Sequence, residues 1–166
     1  MTWNGRDILA FMTVLPFSAA PLLPEEVDRA YPLVQLLKPH IGYAQWRVFA
    51  RNSLNSSLRR GVMAVRDQRG AILGLASYHK EITLEAGPVL IAESFMVIDL
   101  LKPEDVAMVL IEALERQSSR MNCDGLRIYL TSDKAMEWRN LRDHSSADFF
   151  FVQAERIGRE AETIPS

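Results

Sequence analysis

Histidine, cysteine and clustered charge are the residues from which a sequence builds proton transfer, metal binding or nucleophilic attack, and this chain uses them sparingly. Its 3 histidines are His40, His79 and His144, and no pair has the close spacing of a helical metal motif. The single cysteine, Cys123, excludes an internal disulfide and a cysteine-rich metal centre; it reads as a small buried residue of a protein in a reducing compartment. No metal is therefore expected. His79 precedes Lys80 and Glu81 on a predicted strand, where a hydrogen-bonded surface imidazole is the simplest reading. Arg47, Arg51, Arg59 and Arg60 gather positive charge, either as a solvated helix and loop face or as a basic rim.

The elements that position these groups must come from 166 residues that are 48% hydrophobic and 24% charged, enough for one domain, residues 1–166, with a continuous core. The 19 basic residues against 21 acidic ones give a formal charge of -2, which offers no general attraction to nucleic acid. Ile8 to Leu23 is uncharged and mostly apolar, but it is too short to span a bilayer and is interrupted by Pro16 and Pro21. The expectation is a cytoplasmic protein without a membrane partner.

Phe11 to Phe17 has the composition of a first strand. Pro24, Glu25 and Glu26 mark a helix start, since proline fits the first turn and acids favour the positive end of the dipole. Val27, Ala30, Leu33, Val34 and Leu37 follow at helical spacing, and Lys38-Pro39-His40 ends that helix. Trp46, Phe49 and Ala50 define the buried face of a second helix over Tyr43 to Leu54. From Gly61 the pattern becomes strand, turn at Asp67 to Gly70, strand to Tyr78: a hairpin, with Gly70 at the turn and Gly74 a packing position. Val89 to Leu101 reads as a long central strand buried on both faces. Pro103 to Met121 is the clearest helix, with Val106, Val109, Leu110, Ala113, Leu114 and Gln117 on one face. Gly125 to Leu130, Ala135 to Leu141 and Phe149 to Gln153 read as strand, short helix and strand, completing an α/β (α+β) fold with a mixed central sheet flanked by helices.

That order over residues 12 to 155 resembles the GNAT acyltransferases. Leu37-Lys38-Pro39-His40-Ile41, Leu110-Ile111-Glu112-Ala113-Leu114 and Asn122-Cys123 before Leu126 are similar to stretches of that family in the same order. The resemblance implies acetyl-CoA as co-substrate, held by a loop of pattern Arg/Gln-x-x-Gly-x-Gly/Ala ahead of the long helix, whose N–H groups meet the diphosphate. Counted back from Leu110-Ile111, those positions hold Lys102, Pro103, Glu104, Asp105, Val106 and Ala107, of which only Lys102 and Ala107 suit the pattern. Glu104 and Asp105 would oppose a phosphate by about 4 kcal/mol per charge pair at ~4 Å and an effective dielectric of ~20. Pro103 also removes a donor. A second register, which sets Val97-Ile98-Asp99-Leu100 at the strand end, leaves the loop too short by about five residues.

What the resemblance implies for the remaining site is a general base at Glu93 on the fourth strand, with Lys80 as the neighbour it would pair with in a purely structural role. Backbone groups of Met96, Val97 and Ile98 would hold the pantetheine arm, and Lys102, Val106 and Ala107 the head of the coenzyme. The family's Asn and Tyr positions hold Ser132 and Arg139, the latter after Trp138; guanidinium is no proton donor at ordinary pH, so Tyr129 and Ser132 are the substitutes. His79 would line the acceptor side. Three functions remain open at this point: acyl transfer from acyl-CoA to a small-molecule or peptide amine, weak or lost because of the loop; a GNAT-fold module for ligand binding, regulation or interaction; or a GNAT-like fold using another donor. A homodimer through a sheet edge fits each of them.

Overall fold

The structure, a computed structural model, describes residues 16–55 and 59–130 and the backbone of 149–153. Strand β1 is Phe17–Pro21 and helices α1 and α2 are Val27–Leu37 and Tyr43–Asn55. Strands β2 (Arg60–Asp67), β3 (Ile72–Thr83) and β4 (Gly87–Val97) follow, then helix α3 (Pro103–Arg120), strand β5 (Gly125–Leu130) and strand β6 (Phe149–Gln153). The described strands lie in one sheet in chain order, antiparallel from β1 to β4 and parallel from β4 to β6. Two expectations need correction. The first strand starts at Phe17, where it was expected to end; residues 11–15 lie outside the described residues, as does the helix expected over Ala135 to Leu141. The central strand stops at Val97, because the apolar run continues into a loop where Leu100 and Leu101 are 96% and 89% exposed.

The period of two along each strand sorts the core into two layers. Met63, Val65, Ala76, Leu90, Ala92 and Val97 face α3, whose Val106, Leu110 and Leu114 are wholly buried. Val62, Ala64, Leu75 and Met96 face the opposite way and pack against Val34 of α1 and Trp46 and Ala50 of α2. Helix α3 comes close because Gly74 lacks a side chain: a Cβ there would sit 3.2 Å from Val106 and 3.3 Å from Val65. Leu37 and Phe49, expected on buried helix faces, are 40% and 43% exposed; each lies at the margin of its apolar stripe.

The α1/α2 layer is fixed by polar contacts as well as packing. Trp46 donates its indole N–H to the Val27 carbonyl at 2.7 Å, tying α2 to the start of α1. Glu26 is buried where the 3-10 turn Pro24–Glu26 meets β2, and it receives both Nε (2.6 Å) and Nη2 of Arg66 and the N–H of Leu23 (2.9 Å). The Arg66 hydrogen bonds hold its carboxyl below the usual range despite burial. On the other side, Lys80 donates to the Met121 carbonyl at 2.6 Å, placing a cation at the negative end of α3, and Asn122 (φ 51°) turns the chain left-handed there.

Candidate active site

The parallel β4–β5 ladder is short: Val89 to Ala92 pair with Gly125 to Ile128, and β4 continues to Val97 without β5 beside it. The sheet therefore opens from Glu93 onward. A β-bulge coincides with the opening. Leu75 lies opposite Met96 but Ser77 lies opposite Glu93, so β4 spends one more residue than β3, and Ser94 adopts φ 51°. Without the extra residue Met96 would share the face of Ala92; with it, Met96 turns to α1 and α2 while Val97 turns to α3.

Glu93 stands at the mouth of this opening, exposed, with its main-chain carbonyl accepting from Ser77 Oγ at 3.1 Å. Its carboxylate has no ion-pair partner among the described residues, and the expected neighbour Lys80 is instead committed to the end of α3. One step along the β4–β5 register past Ala92 and Ile128 comes Tyr129, so the two residues flank the opening from opposite strands. Leu126, Ile128 and Leu130 face α3, which leaves the half-buried Tyr129 on the face that Glu93 shares. Ser132, Arg139, Trp138 and His144 lie outside the described residues.

The backbone offered to a thioester arm is narrower than expected. Ile98 N–H is bonded to the Leu73 carbonyl at 2.8 Å, so Ile98 and, two residues before it, Met96 address β3. Val97 between them turns its N–H and C=O to the opening. Val106 and Ala107, expected to hold the head of the coenzyme, are wholly buried under the sheet.

The head of α3 is built against anions. Five residues, Ile98 to Lys102, join β4 to α3, and within them Asp99 Oδ1 accepts the N–H groups of Leu101 at 2.8 Å and Lys102 at 2.7 Å. These two bonds hold the Asp99 carboxyl below its usual range. The protein's own carboxylate thus uses donors that a phosphate would need, and Glu104 and Asp105 follow in the first turn, the latter 3.9 Å from the Lys102 ammonium. The residues present suit a pantetheine arm beside Val97 but not a diphosphate at the helix head. The sequence pointed to Glu104, Asp105 and Pro103 for this; it missed Asp99, whose spacing before Leu101 and Lys102 is the signal of an Asx turn.

The anticipated basic rim divides. Arg47 lies 3.4 Å from Asp28 and over the Tyr43 ring, Arg59 lines a separate pocket with Lys80 and Arg120, and Arg60 alone shares the cleft with Glu93. His79 lines that cleft too, 3.7 Å from Glu81. Among the described residues no helix is long and apolar enough to cross a membrane. Cys123 is half-buried and burial raises its thiol pKa, the setting of an inert packing cysteine.

No protein-family model matches the sequence, and no curated protein shows significant similarity to it. Solved structures do. Glucosamine-6-phosphate N-acetyltransferase from Arabidopsis thaliana superposes with a TM-score of 0.63 at 11% identity, covering 84% of this chain and 98% of that one. An aminoglycoside N-acetyltransferase in complex with a CoA bisubstrate analogue gives 0.67 at 14%, covering 85% and 94%. A transcriptional regulator from Bacillus halodurans gives 0.67 at 7%, covering 84% and 99%. At such identities the likeness speaks for architecture, and the architecture of this chain is the GNAT acetyltransferase fold.

Proposed function

We propose that the protein transfers an acyl group from an acyl thioester, acetyl-CoA in the simplest case, to an amine. The observation that carries this reading is the opening of the sheet at Glu93, with Tyr129 across from it and the Val97 main chain along one wall. The donor's amide-rich arm would lie on that wall as an added strand. Glu93 accepts the proton lost by the amine as its nitrogen bonds to the acyl carbon. The C–S bond breaks, and Tyr129, or Ser132, returns a proton to the departing sulfur, so that thiol and amide are the products. Acetyltransferases of aminoglycosides and of glucosamine 6-phosphate among the structural neighbours support an amine acceptor. Residues 1–166 act as one unit in this proposal, in the cytoplasm and as a homodimer through a sheet edge, which sedimentation equilibrium would check.

The test is amine-dependent thiol release from acetyl-CoA. Glu93→Gln should lower the rate by about 100-fold or more while donor binding by calorimetry is retained. Asp99 and the acids at the head of α3 favour a second reading, a GNAT-fold binding or regulatory module. Absence of binding heat at millimolar acetyl-CoA together with no thiol release would select it.

A further inference from the structure

Two pockets adjoin on the face of the sheet that carries α2. One is lined by Ser53, Arg60, His79 and Glu93 among others. The other is largely apolar, with Val34, Trp46, Val62, Leu75 and Met96. Phe49 and Ser77 belong to both and form the shared wall.

Strand register fixes their order. Arg60 pairs with His79, and Ser77 with Glu93, two residues further along β3; Leu75 with Met96 comes next. Glu93 therefore sits between Arg60 on one side and the apolar pocket on the other. Two strand spacings across and two residues along separate Arg60 and Glu93 by about 12 Å between Cα atoms. Both line the same pocket on this face of the sheet, and no ion pair joins them. Neither has an ion-pair partner among the described residues, while the histidine of the cleft, His79, faces Glu81.

We infer that the acceptor is a free apolar amino acid: its amine meets Glu93, its carboxylate the Arg60 guanidinium, and its side chain the pocket beside Met96. This rests on the acyl-transfer reading for the identity of the reacting amine, but the recognition can be measured without turnover. A neutral amine would leave Arg60 unused, and a polar one would bring unpaired groups against Trp46 and Leu75.

The experiment is equilibrium binding to the full chain, by calorimetry or ligand-observed NMR, of leucine, leucinamide, glycine and an aminoalkyl phosphate of leucine's size. Leucine should bind at least about 10-fold more tightly than leucinamide, which lacks the carboxylate, and than glycine, which lacks the apolar group. Arg60→Gln should erase the difference between leucine and leucinamide, and Arg60→Lys should restore part of it. Equal affinity for leucine and leucinamide, a preference that survives Arg60→Gln, glycine binding as well as leucine, or tighter binding of the phosphate would each overturn the inference. If leucine binds as expected but no thiol is released from acetyl-CoA, the transfer reading fails and the recognition stands.

Discussion

Replacing Asp99 by alanine should make the protein bind coenzyme A more tightly, even though the change removes hydrogen bonds from the fold. In the native chain the Leu101 and Lys102 N–H groups are bound to Asp99 Oδ1 at 2.8 and 2.7 Å, so a diphosphate reaching them must first displace that carboxylate and then remain near it. The loop is solvated, and a water-like dielectric applies: about 1 kcal/mol of repulsion per charge pair at ~4 Å. Two phosphate charges and the freed donors bring the expected gain to about 2 kcal/mol, roughly 30-fold in Kd. Asp105 matters less because Lys102 already partners it, though Glu104→Gln with Asp105→Gly should add a smaller gain. Calorimetry with coenzyme A, and with pantetheine as the ligand lacking a diphosphate, would measure this. Pantetheine affinity should stay where it was. If Asp99→Ala binds coenzyme A no better, or strengthens pantetheine equally, the electrostatic account of the helix head is wrong. The variant should also lose about 0.5–1 kcal/mol of stability. Because the folded-state pKa of Asp99 is depressed, that contribution is present at neutral pH and disappears as pH falls through the lowered value.

Other outcomes follow from the same contacts. Glu26→Gln leaves the Arg66 guanidinium against a neutral partner in a buried site and should cost about 3 kcal/mol in denaturant unfolding. The lowered pKa of Glu26 makes its native contribution one that acid removes, so the wild type should lose stability below the ordinary carboxylate range faster than Glu26→Gln does. Leu100→Ser with Leu101→Ser should change the unfolding free energy by no more than about 0.5 kcal/mol, the range of ordinary surface changes, since neither side chain is packed; a large loss would mean that both are covered in the folded protein.

The three described helices were legible because their signals are local. Pro103, Glu104 and Asp105 announce α3, and apolar residues at every third and fourth position state which face it buries. The Asp67 to Gly70 turn was equally plain, and Gly70 takes the φ of 79° that its position requires. The end of β4 was not legible. Val97, Ile98, Leu100 and Leu101 read as one apolar run, and only the three-dimensional path shows that two of them leave the sheet for solvent. Glu93 and Tyr129 were named through family resemblance; that they flank one opening depends on where a parallel ladder stops, which involves residues more than 30 positions apart. Arg60 was one of four arginines with nothing to distinguish it until the strand register set it two rungs from Glu93.

Ser94 lies in the bulge that gives β4 one residue more than β3. Because the supernumerary residue rotates everything after it by half a turn, the tail of β4 cannot zip onto β5 without burying Glu93 or expelling Met96 from its layer. The cleft is thus written into the fold itself, and an incoming molecule pays nothing to prise the strands apart. Deleting Ser94 should put the tail of β4 back in phase with Ala92, so that Met96 returns to the face of Ala92.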